Sequence, residues 1–342
     1  MTSVTFKPKQ VTKRLLGAVP ERAREVLIAR YGLGKNTQKM TLEAIGSKYG
    51  ITRERVRQIE AYTLGSIRKS DVFESEQPAF EELSELLDSI GGVVIEEDIL
   101  NAVSKDKTVQ NYVHFMLVLG NMFKNKKEDE EFVYRWYVDE QLAENVHNAL
   151  RKLYKSLSTE DLVSESKIIS SFLNEIKDLN QKYKNEEIVR RWLTLSKQLG
   201  KNPLGEWGIA NSSNVKVKGI RDYAYLAVKE HGSPMHFTEI ANTISTLFNK
   251  RAHIATCHNE LIKDSRFVLV GRGLYALSEW GYTSGVVKEV IKDILEKNGP
   301  LTRDEIISKV LKERYVKDNT ILVNLQDPMY FKRNRDGRYL VA

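Results

Sequence analysis

Cysteine is almost absent from this chain: Cys257 is the only one in 342 residues. No internal disulfide is open to it, and a reducing, cytoplasmic setting is the natural expectation. One thiol also falls short of a structural zinc set, which takes four Cys or His ligands. His253, Cys257 and His258 cluster, but a four-residue spacing aligns two ligands on a helix face and no third is visible, so packing is expected there rather than metal. Long apolar runs are missing too. Nothing approaches the roughly 20 residues needed to span a bilayer, and the opening string MTSVTFKPKQVTKRLL lacks the apolar centre of a signal peptide. There is no GxxxxGK[ST] string and hence no P-loop for a nucleotide. Glu96, Glu97 and Asp98, with Lys105 and Lys107 nearby, resemble a nuclease set only loosely. The carboxylates are adjacent at the start of a predicted helix, where negative charge is expected anyway. Trp136, Trp207 and Trp280 close hairpins or helices and are expected in the core. The chain is therefore expected to be no enzyme, with no cofactor, metal, membrane or small-molecule substrate.

Charge is present in blocks. Residues 1–70 hold 15 Lys/Arg against 5 Asp/Glu, a net of +10. Residues 71–140 hold 6 against 17, a net of −11, and the rest carries +8. The basic block reads as a polyanion-binding surface. The acidic block would repel DNA and is expected to solvate its own fold or to meet a basic protein surface.

Residues 1–10 are polar and aperiodic and read as a disordered tail. From 11 to 70 the pattern is helical. Pro20 suits a first turn, Ala23, Val26, Leu27 and Tyr31 form a stripe, and Gly32 and Gly34 stop it. Residues 71–79 (DVFESEQPA) read as a linker. Residues 80–142 read as helix, Gly91-Gly92, helix (96–103), helix (109–122), a charged turn and a β-like FVYRWYV, the order of a diverged, acidic winged helix. Residues 143–215 read as a helical or winged-helix segment.

The segment TLEAIGSKYGITRERVRQIE (41–60) holds the main chemistry. Leu42, Ile45, Tyr49, Ile51, Val56 and Ile59 are spaced for two short helices around the turn YGI, where Gly50 accepts a positive φ. Thr41 and Thr52 cap the two helices, and Ala44 and Gly46 are small where helices cross. This is the pattern of a helix-turn-helix. The second helix exposes Arg53, Glu54, Arg57 and Gln58 while Val56 and Ile59 face inward. Residues at the N-terminal end of such a helix meet base edges in the major groove: Arg donates twice to guanine, Glu accepts from cytosine, Gln pairs with adenine. Arg30, Arg55 and Lys69, with the capping Thr41 and Thr52, are placed for phosphates.

Residues 14–70 resemble region four of primary-type bacterial sigma factors. The carrying strings are VLIARYGL (26–33), TLEAIG (41–46) and ITRERVRQIE (51–60). The resemblance implies a module that binds the minus-35 promoter element and docks on the flap of the RNA polymerase β subunit. It implies base reading by Arg53, Glu54 and Gln58, and backbone or supporting contacts by Arg30, Arg55, Arg57 and Lys69. Such sigma factors melt promoters with an upstream region two. With about 13 residues ahead of the matched segment, that region is expected to be lacking, and the resemblance covers about one sixth of the chain.

An internal repeat marks the C-terminal part. GSPMHFTEIANTI (232–244) matches NGPLTRDEIISKV (298–310), and LIKDSRFVLVGRGLYAL (261–277) matches LQDPMYFKRNRDGRYLV (325–341). Each copy, 216–282 and 283–342, reads as helix, turn, helix, helix and a hairpin with Gly in its turn. These units resemble the HARE-type winged helix-turn-helix found in the δ subunit of some bacterial RNA polymerases and in chromatin and restriction proteins. Arg266, Arg272, Lys332, Arg333, Arg335 and Arg338 decorate the hairpins as candidate wing contacts to phosphates.

The sequence thus predicts a mainly α, multi-domain chain: an N-terminal helix-turn-helix bundle followed by winged-helix units with short β-hairpins. Its predicted partners are double-stranded DNA and bacterial RNA polymerase, in the nucleoid. Two alternatives stand beside a promoter-reading factor: the DNA-targeting subunit of a restriction or defence assembly, and a polymerase accessory subunit using the acidic segment on protein.

Overall fold

The computed structural model describes residues 4–34, 37–282 and 286–342. Helices dominate and the strands form small antiparallel groups, as the mainly α pattern with short hairpins predicts. The chain divides into two compact units, residues 1–200 with 207–210, and residues 201–206 with 211–342.

The first unit opens with four helices: α1 (Pro8–Gly17), α2 (Glu21–Tyr31), α3 (Leu42–Tyr49) and α4 (Arg53–Arg68). Two expectations fail here. Of the tail expected over 1–10, residues 1–3 lie outside the described residues, but α1 begins at Pro8, which suits a first turn. Val11, Leu15 and Leu16 are buried, with Val4 and Phe6 packed on the same core. The linker expected over 71–79 is helical: α5 (Asp71–Ser75) runs almost directly into α6 (Gln77–Ser89). Its polar residues serve local structure. Ser70, just ahead of the segment, caps α5, and Glu76 accepts from the Arg14 guanidinium. Phe73 is buried 5.1 Å from the Phe80 ring. The polar composition hid a helix held by one aromatic and one ion pair.

β1 (Val93–Ile95), α7 (Glu96–Val103), α8 (Lys107–Leu119), β2 (Lys124–Lys126) and β3 (Arg135–Tyr137) follow. One core runs through all of this: Val11, Leu15 and Leu27 share a cluster with Leu83, Ile99, Phe115 and Trp136. The N-terminal bundle and the acidic segment are a single folded body rather than two modules joined by a linker. Polar contacts fasten them. Asn111 Nδ2 donates to the Gly32 and Thr37 carbonyls at 3.0 and 2.9 Å, and Tyr112 Oη to Leu33 O at 2.7 Å. Arg68 donates to the Leu119 and Val118 carbonyls at 2.9 and 2.8 Å, satisfying carbonyls that a helix C-terminus leaves without partners.

The chain continues with α9 (Glu140–Ser156), α10 (Glu165–Glu175), α11 (Glu186–Leu193) and a hairpin of β4 (Leu199–Lys201) and β5 (Trp207–Ile209). The second unit contains α12 (Ile220–His231), β6 (Met235–His236), α13 (Phe237–Phe248), α14 (Ile254–Lys263), β7 (Phe267–Leu269) and β8 (Leu274–Leu277). It then adds α15 (Val287–Asn298), α16 (Arg303–Glu313), α17 (Asp318–Leu325), β9 (Phe331–Arg333) and β10 (Tyr339–Val341).

From α6 onward one order recurs four times: helix, short extended segment, helix, helix, hairpin. In each copy the extended segment lies antiparallel against the second hairpin strand. The pairs are Val93 with Tyr137, Val163 with Trp207, Met235 with Tyr275, and Leu301 with Tyr339. Two hairpins pack on the following repeat. Between β2 and β3, Phe132 bridges Ser196, the Val133 N–H donates to Leu195 O at 3.0 Å, and the Lys197 N–H to Glu131 O at 2.8 Å. Phe132 thereby joins the core of Val146, Leu150 and Trp192. Between β7 and β8, the Tyr315 N–H donates to Val270 O at 2.9 Å.

Candidate nucleic-acid interface

Thr41 Oγ1 accepts from the Ala44 N–H at 3.1 Å and starts α3; Thr52 Oγ1 accepts from the Arg55 N–H at 3.2 Å and starts α4. Gly50 ends α3 with φ 65°, a conformation that glycine takes without a side-chain clash. Gly46 lets the turn close: a Cβ there would meet the Ile51 carbonyl oxygen at 2.6 Å. Val26, Ile45 and Val56 form the small core beneath, ringed by Leu42, Tyr49, Ile51 and Ile59. The apolar spacing thus orients α4 so that its N-terminal half turns a polar face to solvent.

Arg53, Glu54, Arg55, Arg57 and Gln58 are all exposed on that half. Glu54 accepts from Arg57 at 2.7 and 2.9 Å, and Arg55 donates to Gln58 Oε1 at 3.3 Å. The Arg57 hydrogen bond holds the Glu54 carboxyl below the usual carboxylate range, so it presents an ionised acceptor. Both partners are more than half exposed, and such surface pairs contribute little and rearrange readily. The Arg53 side chain makes no hydrogen bond among the described residues. Thr41, Thr52 and Lys69 are exposed near the helix ends.

Tyr62 escaped the sequence reading. It is 79% exposed on α4, and Glu54, Gln58 and Tyr62 follow one another at four-residue intervals along one stripe. An aromatic outside the apolar period was the available signal. Arg30 was expected at phosphates, but its guanidinium is committed inward. Nη1 donates to Met40 O at 3.2 Å and Nε lies 3.5 Å from Glu60. Glu60 also accepts from Tyr31 Oη at 2.7 Å. Arg30 joins α2, the approach to α3 and α4.

The hairpin residues divide. Arg266, a candidate wing contact, is held by carboxylates: Nη2 lies 2.8 Å from Asp222 and 2.6 Å from Asp264, whose side chains are 4% and 10% exposed. Two sequestered carboxylates require a cation, and Arg266 supplies it. Arg272, Lys332, Arg333, Arg335 and Arg338 are exposed. Arg333 Nε donates to Gly337 O at 2.8 Å, and Arg338 donates to Pro300 O at 3.3 Å.

The acidic segment meets basic side chains of its own unit. Glu76 pairs with Arg14, Asp88 with Lys182, Glu128 with Lys197, Glu131 with Arg151 and Glu140 with Lys124. Glu96 accepts from Trp136 Nε1 at 3.0 Å and lies 3.1 Å from His114 Nδ1. Glu96, the first of the three adjacent carboxylates, is therefore held within the packing of this unit. Cys257 is buried, which pushes its thiol up to about 11, and His258 stacks on Phe237 at 4.3 Å.

Two capped helices about a glycine turn, the second exposed at its start, constitute a helix-turn-helix. The family described as Sigma-70, region 4 matches residues 15–69, a range that contains this motif. Over 56 residues the chain is 52% identical to the RNA polymerase sigma factor RpoS of Coxiella burnetii, covering 16% of each chain. It is 44% identical over 59 residues to the RNA polymerase sigma factor RpoD of Neisseria gonorrhoeae, 17% of this chain and 9% of that one. It is 46% identical over 56 residues to the RNA polymerase sigma factor SigA of a Nostoc species, 16% and 14% respectively. The chain thus spans between 9% and 16% of these relatives' length, and the similarity lies in one segment. Among the described residues no helix is long and apolar enough to cross a membrane.

Proposed function

We propose that this protein binds double-stranded DNA in transcription, laying the start of α4 in the major groove of a minus-35-like promoter element. Arg53, Glu54, Arg57 and Gln58 read base edges, and Thr41, Thr52, Arg55 and Lys69 hold phosphates. The observation that carries this is the exposed, capped N-terminal half of α4 within a segment 44–52% identical to sigma factors. The mechanism is binding rather than chemistry. The module also contacts the RNA polymerase flap, in the cytoplasm at the nucleoid. The four repeats are winged-helix units, the last two of HARE type.

The packing of two hairpins on neighbouring repeats favours a second reading, a polymerase accessory protein in which DNA contact is secondary. Hairpin loops occupied within the chain are withdrawn from phosphates, and the repeats then act as a scaffold that presents α4.

The test is fluorescence anisotropy of the full chain on duplexes with an intact or a scrambled minus-35 hexamer, in parallel with pull-down of RNA polymerase core. Arg53→Ala is expected to weaken binding to the intact site by about 1–3 kcal/mol and to relax preference at one base pair. An unchanged preference in that variant would sink the base-reading assignment. Capture of polymerase core unaffected by Arg53→Ala, with no preference for the hexamer, would select the accessory reading.

A further inference from the structure

The second unit contains a cleft of about 970 Å³ lined by the β7–β8 hairpin and by the chain from α15 to α17. Its volume lies at the upper end of the range for small-molecule sites, which are concave and mostly apolar with a few polar groups. Leu269, Leu311 and Tyr315 line it and are 51%, 43% and 54% exposed. Most of the large apolar side chains left exposed among the described residues lie in this unit, and these three gather on one concave surface, a feature that marks an interaction site. The charged residues of the lining are Arg272, Arg314 and Lys317, and the lining includes no carboxylate. Arg272 and Lys317 are exposed at the rim, whereas Arg314 is buried. The Tyr315 N–H bond to Val270 O joins the two walls.

We propose that this cleft binds a small amphiphilic anion, a carboxylate on an apolar body. Leu269, Leu311 and Tyr315 cover the apolar part, and the exposed Arg272 and Lys317 select the charge. An uncharged apolar ligand would leave these two rim cations unused. A cationic ligand would meet two like charges at the rim with no carboxylate in the lining, and in a site partly shielded from water such repulsion is strengthened. Nucleic acid fits poorly, because its charged backbone would lie against exposed leucine and tyrosine side chains.

Isothermal titration calorimetry on the full chain tests this with dodecanoate and dodecyltrimethylammonium, both below micelle-forming concentrations. The two probes share an apolar tail and differ in head-group charge. Saturable binding of one dodecanoate per chain is expected, at least about tenfold tighter than the cation. Arg272→Glu/Lys317→Glu is expected to weaken dodecanoate by about tenfold or more, and Leu311→Asp likewise. Lys332→Glu/Arg335→Glu, which makes the same charge change on the other exposed hairpin, is expected to leave it unchanged. Equal binding of both probes, equal effects of the two double variants, or no saturable binding would each overturn the proposal. A leucine-rich acidic peptide that binds and is lost with Arg272→Glu/Lys317→Glu, where dodecanoate does not bind, would assign the cleft to a protein partner instead.

Discussion

The packing of the β2–β3 hairpin on the next repeat has a titratable marker. His147 on α9 is 1% exposed. Its Nε2 accepts from Arg135 Nε at 2.8 Å, and its ring lies 4.6 Å from that of Phe132. Protonation would place a second donor against the guanidinium. Burial first, then the charges of Arg135 and Lys126, push this imidazole down to about 4. An unfolded histidine takes up its proton near pH 6.5. The folded protein therefore binds fewer protons than the unfolded chain between about 6.5 and 4, and stability is lost as pH falls through that window. The site's contribution is present in full above the window. From pH 7 to pH 5 the loss is about 2 kcal/mol, out of about 3 kcal/mol once both states are protonated. Urea unfolding at the two pH values, followed by fluorescence dominated by Trp136, Trp192 and Trp207 in this unit, measures it. His147→Gln retains an acceptor for Arg135 but cannot titrate, so the wild type is expected to lose about 2 kcal/mol more than the variant. Equal losses, or a folded-state His147 that titrates near 6.5 by NMR, would refute the reasoning.

Other substitutions separate structure from recognition. Gly46→Ala places a Cβ 2.6 Å from a backbone oxygen that cannot move independently of the turn, and about 1–3 kcal/mol of destabilisation is expected from such overpacking. Thermal melting checks this, with DNA affinity falling while the helical content of the remainder persists. Arg266→Ala leaves Asp222 and Asp264 without their cation and is expected to cost about 3–5 kcal/mol, read by calorimetry of the second unit. At temperatures where that unit stays folded, its DNA affinity is expected to match wild type; a selective loss of DNA binding would return Arg266 to the interface.

Local chemistry was legible in the sequence. The threonine caps, the Gly50 turn and the inward set of Ile45, Val56 and Ile59 depend on neighbours within a few residues, and α7 spans Glu96–Val103 as its pattern predicts. The repeat was legible in its last two copies, which share proline, glycine and aromatic positions. What stayed hidden depends on distant partners. Nothing near DVFESEQPA announces that Phe73 has a pocket or that Glu76 has Arg14. Arg266 looks like any hairpin arginine until Asp222, 44 residues away, is placed beside it. Arg30 matches a family position, yet its hydrogen bonds go to Met40, and its closest carboxylate is Glu60.

The shared core also bears on how the two functional readings can be separated. Removal of residues 1–70 would look like the direct way to ask whether polymerase binding needs the helix-turn-helix. That deletion strips α1, α2 and α4 from α8, whose Tyr112, Val113, Phe115, Met116 and Leu119 are buried. It also leaves the carbonyls held by Arg68 and the Asn111 amide without their partners. Large exposed apolar patches cause aggregation or adventitious association, so a truncated chain could capture polymerase, or fail to, for reasons unrelated to recognition. Substitution on the exposed face of α4 avoids this. Arg53, Arg57 and Gln58 support no core contact, and surface changes of that kind usually alter stability by less than about 0.5 kcal/mol. On the promoter reading, Arg53→Ala/Gln58→Ala is therefore expected to abolish preference for the hexamer in an otherwise intact body that still captures polymerase, whereas a scaffold has no such preference to lose.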